Sequence, residues 1–284
     1  MSTFTSSMFE SIKSALTKET ENSGSKLKDY IKTEAGNTYT VRLLPNIKNP
    51  AKTFFHYYTF GWNSYATGKY VSAVSPSTWS QRDPIAEERY RIMRNGTEEE
   101  KKKAEVIRRT ENWLVNVYIV NDPVNADHNG KIKILRFGRQ LHKIIMDGIE
   151  GEDAAELGPR IFDLSAKGVN LKIKVEKQGD YPTYVSSKFS SPKEVEGLDE
   201  DNHDKVYKTT FDLESYVTVK SYDDLKEMLN QHYFCKTDTE NSDGTALTTI
   251  KEGTPVVKAP IVSAPKKEEA IVEDESIANL LKDL

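Results

Sequence analysis

Two guanidinium groups, Arg108 and Arg109, stand just before Trp113 at the head of an apolar run. The next segments carry Lys131, Lys133, Arg136, Phe137, Arg139 and Lys143. Phe54, Tyr57, Tyr58, Phe60, Trp62, Tyr65 and Tyr70 cluster earlier, and Tyr181, Tyr184 and Lys188 recur later. Lysine and arginine neutralise phosphates, and aromatic faces stack bases. Neither interaction depends on base sequence. Interleaved in this way, the two residue types suit an extended single-stranded polyanion. Phe54, Phe60, Trp62 and Phe137 read at least as well as core, whereas Tyr181 and Tyr184, beside Gly179 and Pro182, read as exposed turn residues.

Catalytic chemistry has no comparable support. The sequence holds no nucleophile-elbow, zinc-protease, phosphate-loop or dinucleotide-binding motif, and its histidines, His56, His128, His142, His203 and His232, are scattered. His232 and Cys235 have a metal-like spacing but lack a second ligand pair, so they read as a core-edge histidine and a buried thiol. Asp83, Glu87 and Glu88 could hold magnesium, but they read better as partners of Arg82, Arg89 and Arg91 on a helix surface.

The 284 residues suit one or two domains, and the single cysteine excludes an internal disulfide framework. No run approaches the ~18 apolar residues of a transmembrane helix. The first residues lack the apolar stretch of a secretory signal, so a reduced, cytoplasmic setting is expected. The net charge of −4 hides a strong asymmetry. Residues 26–150 hold 21 Lys/Arg against 14 Asp/Glu (+7), and residues 151–248 hold 12 against 20 (−8). Residues 268–284 carry −5. A basic block beside acidic ones predicts a polyanion-binding surface.

The elements that must position these residues follow from periodicity and turn chemistry. Residues 1–25 contain one amphipathic stretch, Phe9, Ile12 and Leu16, expected to be a short docking helix. Strands are predicted over 39–44, over 53–62 paired with 70–74, over 113–120 as a central strand buried on both faces, and over 131–137 after the Asn129-Gly130 turn. A further strand is predicted over 170–175, with 184–189 as its partner. Helices are predicted over 83–94, over 98–109, after Gly138 with Leu141, Ile144, Ile145 and Ile149 on one face, and from Ser221, where Asp224 completes a capping box. Residues 194–204 read as an acidic loop. Residues 249–267 read as a Pro-containing linker, and 268–284 as an acidic tail. Ile277, Leu280, Leu281 and Leu284 in that tail predict a recognition helix that folds on a partner.

Several stretches, in order, resemble the single-stranded DNA-binding proteins of T-even-type phages, the helix-destabilising proteins of replication. They are Val41-Arg42-Leu43-Leu44-Pro45, Arg109 to Asn116, Val120-Asn121-Asp122-Pro123, Asn129-Gly130-Lys131, Leu135 to Arg139, Asn170 to Val175, and Tyr184 with Ser187-Lys188-Phe189. The acidic ending before Leu280-Leu281-Lys282-Asp283-Leu284 is similar too. The resemblance covers roughly residues 26–235 plus the tail. It implies an α+β fold with an oligonucleotide-binding (OB-like) β-barrel core, helical insertions, a flexible N-terminal segment and an acidic C-terminal tail. The implied division is 1–25 for self-association along DNA, 26–248 for the DNA-binding core with a helical subdomain at 75–110, 249–267 for the linker and 268–284 for protein recruitment. Positions matching the family's cleft are Arg108, Arg109, Trp113, Arg136, Arg139, Tyr181, Tyr184 and Lys188, and Lys133 joins them from the basic pattern.

The implied function is a non-catalytic protein that coats and protects displaced strands and recruits replication, recombination and repair proteins in the cytoplasm of an infected bacterium. Two departures qualify it. The family's zinc ligands, one His and three Cys, are missing from Ser77-Thr78-Trp79-Ser80 and from Asp83 to Glu88, so no metal is expected. That subdomain is then expected to pack around Trp79, Ile85, Tyr90 and Ile92. The family's basic N-terminal motif is absent as well, which leaves the Phe9/Ile12/Leu16 face as the candidate contact between copies. The rival readings are an acidic-tailed interaction scaffold or chaperone and, less well supported, a DNA-processing nuclease.

Overall fold

A computed structural model of the chain describes residues 26–236. The Phe9/Ile12/Leu16 face, the 249–267 linker and the 268–284 tail lie outside the described residues, as does the 237–248 end of the expected core.

The sheet is organised by β4 (Thr110–Asn121), a twelve-residue strand whose residues 112–119 are all buried. Its apolar run meets β2 (Phe54–Asn63), β1 (Thr38–Leu44) and β5 (Ile132–Phe137), all antiparallel. Thr110–Val115 pair with β2 and Asn116–Asn121 with β1, so these two strands share one edge of β4. Trp113–Tyr118 pair with β5 on the opposite edge. The predicted hairpin forms between β2 and β3 (Tyr70–Val74). Gly130, at φ 76°, supplies the left-handed residue of the turn into β5.

The strand order is β3-β2-β4-β1-β6-β9, with β5 attached to β4. Here β6 is Leu171–Lys174 and β9 is Lys188–Phe189. The expected OB-like β-barrel is not what these strands form: among the described residues the sheet stays open. The outer edge of β5 is occupied instead, because Ile31 N–H donates to the Ile134 carbonyl (3.0 Å) and Ile134 N–H to the Asp29 carbonyl (2.8 Å). The predicted 184–189 strand also resolves differently. Glu176–Gln178 (β7) and Tyr181–Thr183 (β8) form a separate hairpin, and only Lys188–Phe189 return to β6.

Alternation along β4 divides the packing. Trp113, Val115, Val117 and Ile119 join Val41, Leu43, Leu135 and Phe137 beneath α3 (Arg139–Glu150), which contributes Leu141 and Ile145. Leu114 faces Tyr57, Ile134 and Leu213 on the other side.

A helical lobe covers the far end of β2. It contains α1 (Pro84–Asn95), α2 (Glu98–Ala104) and α5 (Tyr222–His232), packed around Phe60, Trp62, Ile85, Ile92, Ile107, Leu225, Met228 and Leu229. The capping box of Ser221 and Asp224 forms as predicted. The helix predicted over 98–109 ends at Ala104. A 3-10 turn over Glu105–Ile107 carries Ile107 into the lobe's core and frees Arg108 to extend into β4. The acidic loop is also partly helical, as α4 (Glu200–Lys208). Acids in its first turn and Lys205 and Lys208 in its last complement the helix dipole.

Two expected packing residues of the lobe lie elsewhere. Tyr90 is 65% exposed, and Trp79 packs on Phe55 and donates its indole N–H to Glu214 (3.1 Å). The acids of this segment have partners within the lobe. Asp83 Oδ1 caps α1 by accepting from the Ile85 and Ala86 N–H groups, its Oδ2 accepts from Ser75, and Glu87 and Glu88 pair with Arg82 and Arg91. Cys235 is exposed rather than buried, at a left-handed φ of 56°, while His232 Nδ1 meets Ser64 Oγ at 3.0 Å. Among the described residues no helix is long and apolar enough to cross a membrane.

Candidate nucleic-acid interface

Three element ends converge on one cleft of about 320 Å³: the start of β4, the start of α3 and the β7–β8 hairpin. Arg108, Arg109, Glu111 and Asn112 line one wall, Gly138, Arg139 and Gln140 a second, and Pro182 and Tyr184 a third. Four sequence-predicted residues, Arg108, Arg109, Arg139 and Tyr184, thus meet in one place.

Each arginine is held differently. Arg109 donates to Ser77 Oγ (2.7 Å) and lies 4.6 Å above the Tyr58 ring, so its charge has neutral partners. Arg108 is loosely paired with Glu105 at 3.8 Å. Arg139 Nε donates to Glu111 Oε2 at 2.6 Å. Arg139 is also the first residue of α3, whose N-cap is Gly138, a residue with no side chain to cap the helix. The first helical bond is donated by His142 N–H to the Gly138 carbonyl (3.1 Å). Gly138, Arg139, Gln140 and Leu141, at the positive end of the helix dipole, line the same cleft, and a helix N-terminus favours an anion.

Gln140 ties the third wall to the second, since its Oε1 accepts from Tyr184 N–H (3.0 Å) and Thr183 Oγ1 (3.4 Å). Tyr184 is half-buried rather than exposed as expected, because its ring packs on the main core, and its hydroxyl meets Thr33 Oγ1 at 3.1 Å. Tyr181 stands at the hairpin tip, 78% exposed and next to Gly179 at φ 64°.

The other predicted residues are used differently. Trp113 is 9% exposed, and its indole stacks with His142 at 4.0 Å and with His56 at 4.7 Å. It belongs to the core cluster under α3, with little of the indole exposed. Burial, reinforced by repulsion from His56, pushes the His142 pKa below its ordinary value. Arg136 is exposed, and its Nε and Nη2 both donate to Asn112 Oδ1 at 3.1 Å, next to the cleft but not in it. Lys133 is half-buried and donates to the Lys28 carbonyl (2.6 Å). Lys188 lies opposite Lys172 on β9, away from the cleft. Arg42 is wholly buried, donating to Asn170 Oδ1 and to the carbonyls of Asp163, Ser165 and Lys193, so part of the basic block's charge is structural.

Residues 34–233 match the family described as gp32 DNA binding protein like. The chain belongs to this family. Two relatives are the single-stranded DNA-binding proteins of Enterobacteria phage T4 and Enterobacteria phage T2, each 24% identical over 204 residues. The alignments cover 69% of this chain and 66% of each relative, so the chain spans just under two thirds of the curated relatives it matches.

Glu111, Gln140 and Tyr58 also shape the cleft, and nothing in their local sequence marks them for it. The strand register sets Tyr58 directly opposite Glu111, and local sequence carries no sign of that pairing.

Proposed function

We propose that the chain is a non-catalytic, sequence-tolerant single-stranded DNA-binding protein. Arg108, Arg109, Arg139 and the N-terminus of α3 take successive phosphates, while Tyr181 and Tyr184 stack bases along the third wall. The observation that carries this reading is the convergence of three arginines and Tyr184 on one cleft, in a chain of the gp32-like family. The open sheet around β4 serves as the OB-like core of the family resemblance. In the cell the protein coats and protects displaced strands in the cytoplasm of the infected host. Residues 268–284, joined by the 249–267 linker, recruit replication and recombination proteins, and residues 1–25 contact a second copy along the strand. No zinc is required, because Asp83, Glu87 and Glu88 are already engaged within the lobe.

The test is titration of a fluorescently labelled oligothymidylate with full-length protein at about 50 mM and about 300 mM salt, a range over which screening changes strongly. Tight binding that weakens with salt is expected. An interaction scaffold gives no binding at either salt, which would refute the proposal. A nuclease degrades the oligonucleotide when magnesium is added.

A further inference from the structure

Glu111 is a carboxylate in the wall of a cleft otherwise built for anions. It is partly exposed, and Arg139 Nε lies 2.6 Å from its Oε2. The contrast with Arg109 is informative: that guanidinium rests on a hydroxyl and an aromatic ring and carries its full charge into the cleft. Arg139, at the uncapped start of α3, is neutralised by Glu111. A phosphate that reaches Arg139 meets the carboxylate on its Nε, and either displaces it or shares the guanidinium and the cleft with it.

We infer that Glu111 is a displaceable counter-ion, which occupies the phosphate position on Arg139 until a strand arrives and so sets how tightly the cleft holds DNA. The inference rests on the DNA-binding reading above. Its physical consequence is that Arg139 contributes little net affinity in the native protein, because one charge-assisted hydrogen bond is exchanged for another. Removing the carboxylate's charge then does two things: it frees Arg139 for phosphate and it removes a like charge a few ångströms from the strand. Two unit charges ~4 Å apart interact by about 1 kcal/mol even in bulk water, which converts to roughly fivefold in affinity.

The test is a double-mutant cycle on full-length protein: wild type, Glu111→Gln, Arg139→Gln and the double variant. Each is titrated with labelled oligothymidylate at about 50 mM and about 300 mM salt, with a melting curve for each. E111Q should bind about three- to tenfold tighter at the lower salt, with a salt slope steeper by about 0.7, one more uncompensated cation. The gain should shrink at the higher salt. R139Q, with a bare carboxylate left in the cleft, should bind more weakly than wild type. The double variant should return to within about twofold of wild type, because the pair is removed as a neutral unit. If E111Q binds no tighter than wild type while melting normally, Glu111 is a bystander and the inference fails. Should E111Q fold poorly, the double variant against R139Q still decides: equal affinities overturn the inference. Absence of binding by wild-type protein refutes the DNA-binding reading instead, so the two failures are distinguishable.

Discussion

Replacing Trp113 with alanine should unfold the protein early rather than strip it of DNA contacts. The indole is 9% exposed and stacks with His56, His142 and Phe137. A buried Trp removes about 150–250 Å² from water. At about 25 cal/mol per Å² this is worth roughly 4–6 kcal/mol, and large-to-small core substitutions at aromatic sites cost about 3–5 kcal/mol. Taking ~4 kcal/mol, and ~2–4 °C per kcal/mol for a domain of this size, the melting temperature should fall by roughly 8–16 °C. The assay is thermal and urea unfolding of full-length protein followed by circular dichroism. Oligonucleotide binding is measured in parallel well below the transition, where the variant is folded and its affinity should stay within about twofold of wild type. A variant that melts like wild type but loses about 1–3 kcal/mol of binding, the range for a base-stacking ring, would refute the placement of Trp113 in the core.

Other consequences are as specific. Tyr181→Ala should do the reverse, costing about 1–3 kcal/mol of DNA affinity with an unchanged melting temperature, since the ring is 78% exposed. His142 has a folded-state pKa below its ordinary value, from burial and the neighbouring His56. The unfolded chain therefore takes up that proton at higher pH than the folded chain. The stability His142 contributes should be complete above about pH 6.5 and decline as pH falls through 6.5 toward the folded value. Melting curves across that window should show the decline, and His142→Gln should flatten it. Chelator should leave the melting temperature unchanged, because Asp83 caps α1 and Glu87 and Glu88 pair with arginines; about one equivalent of metal per purified chain would contradict this.

Much of the fold is legible locally. The Asn129-Gly130 turn, the apolar run of β4, the hairpin of β2 and β3, and the Ser221–Asp224 cap each declare themselves within a few residues. What escapes is set by partners distant in sequence. The sheet stays open with Asp29–Ile31 on the edge of β5, and α2 stops short where Ile107 enters a core shared with Leu225 and Leu229. The same limit applies to the candidate site. Arg108, Arg109, Arg139 and Tyr184, singled out by their chemistry, line one cleft. Lys133 and Trp113 have equally suitable chemistry, but one is tethered to the Lys28 carbonyl and the other is buried and stacked with imidazoles from β2 and α3. Glu111 is passed over for the converse reason: an acid looks out of place in an anion cleft until its register with Tyr58 and its bond to Arg139 are known.

The central claim is that this cleft, and not the basic block at large, holds the strand. It is tested most directly by the salt dependence of oligonucleotide binding in wild type and in the Arg108→Gln/Arg109→Gln/Arg139→Gln variant. Wild type should give a log–log slope of about −2 to −5, at about −0.7 per phosphate neutralised. The triple variant should melt like wild type, bind at least tenfold more weakly at about 50 mM salt, and show a slope shallower by roughly 1.4–2.1, two to three phosphate contacts. A triple variant with wild-type affinity and slope would contradict the account and move the strand to another surface.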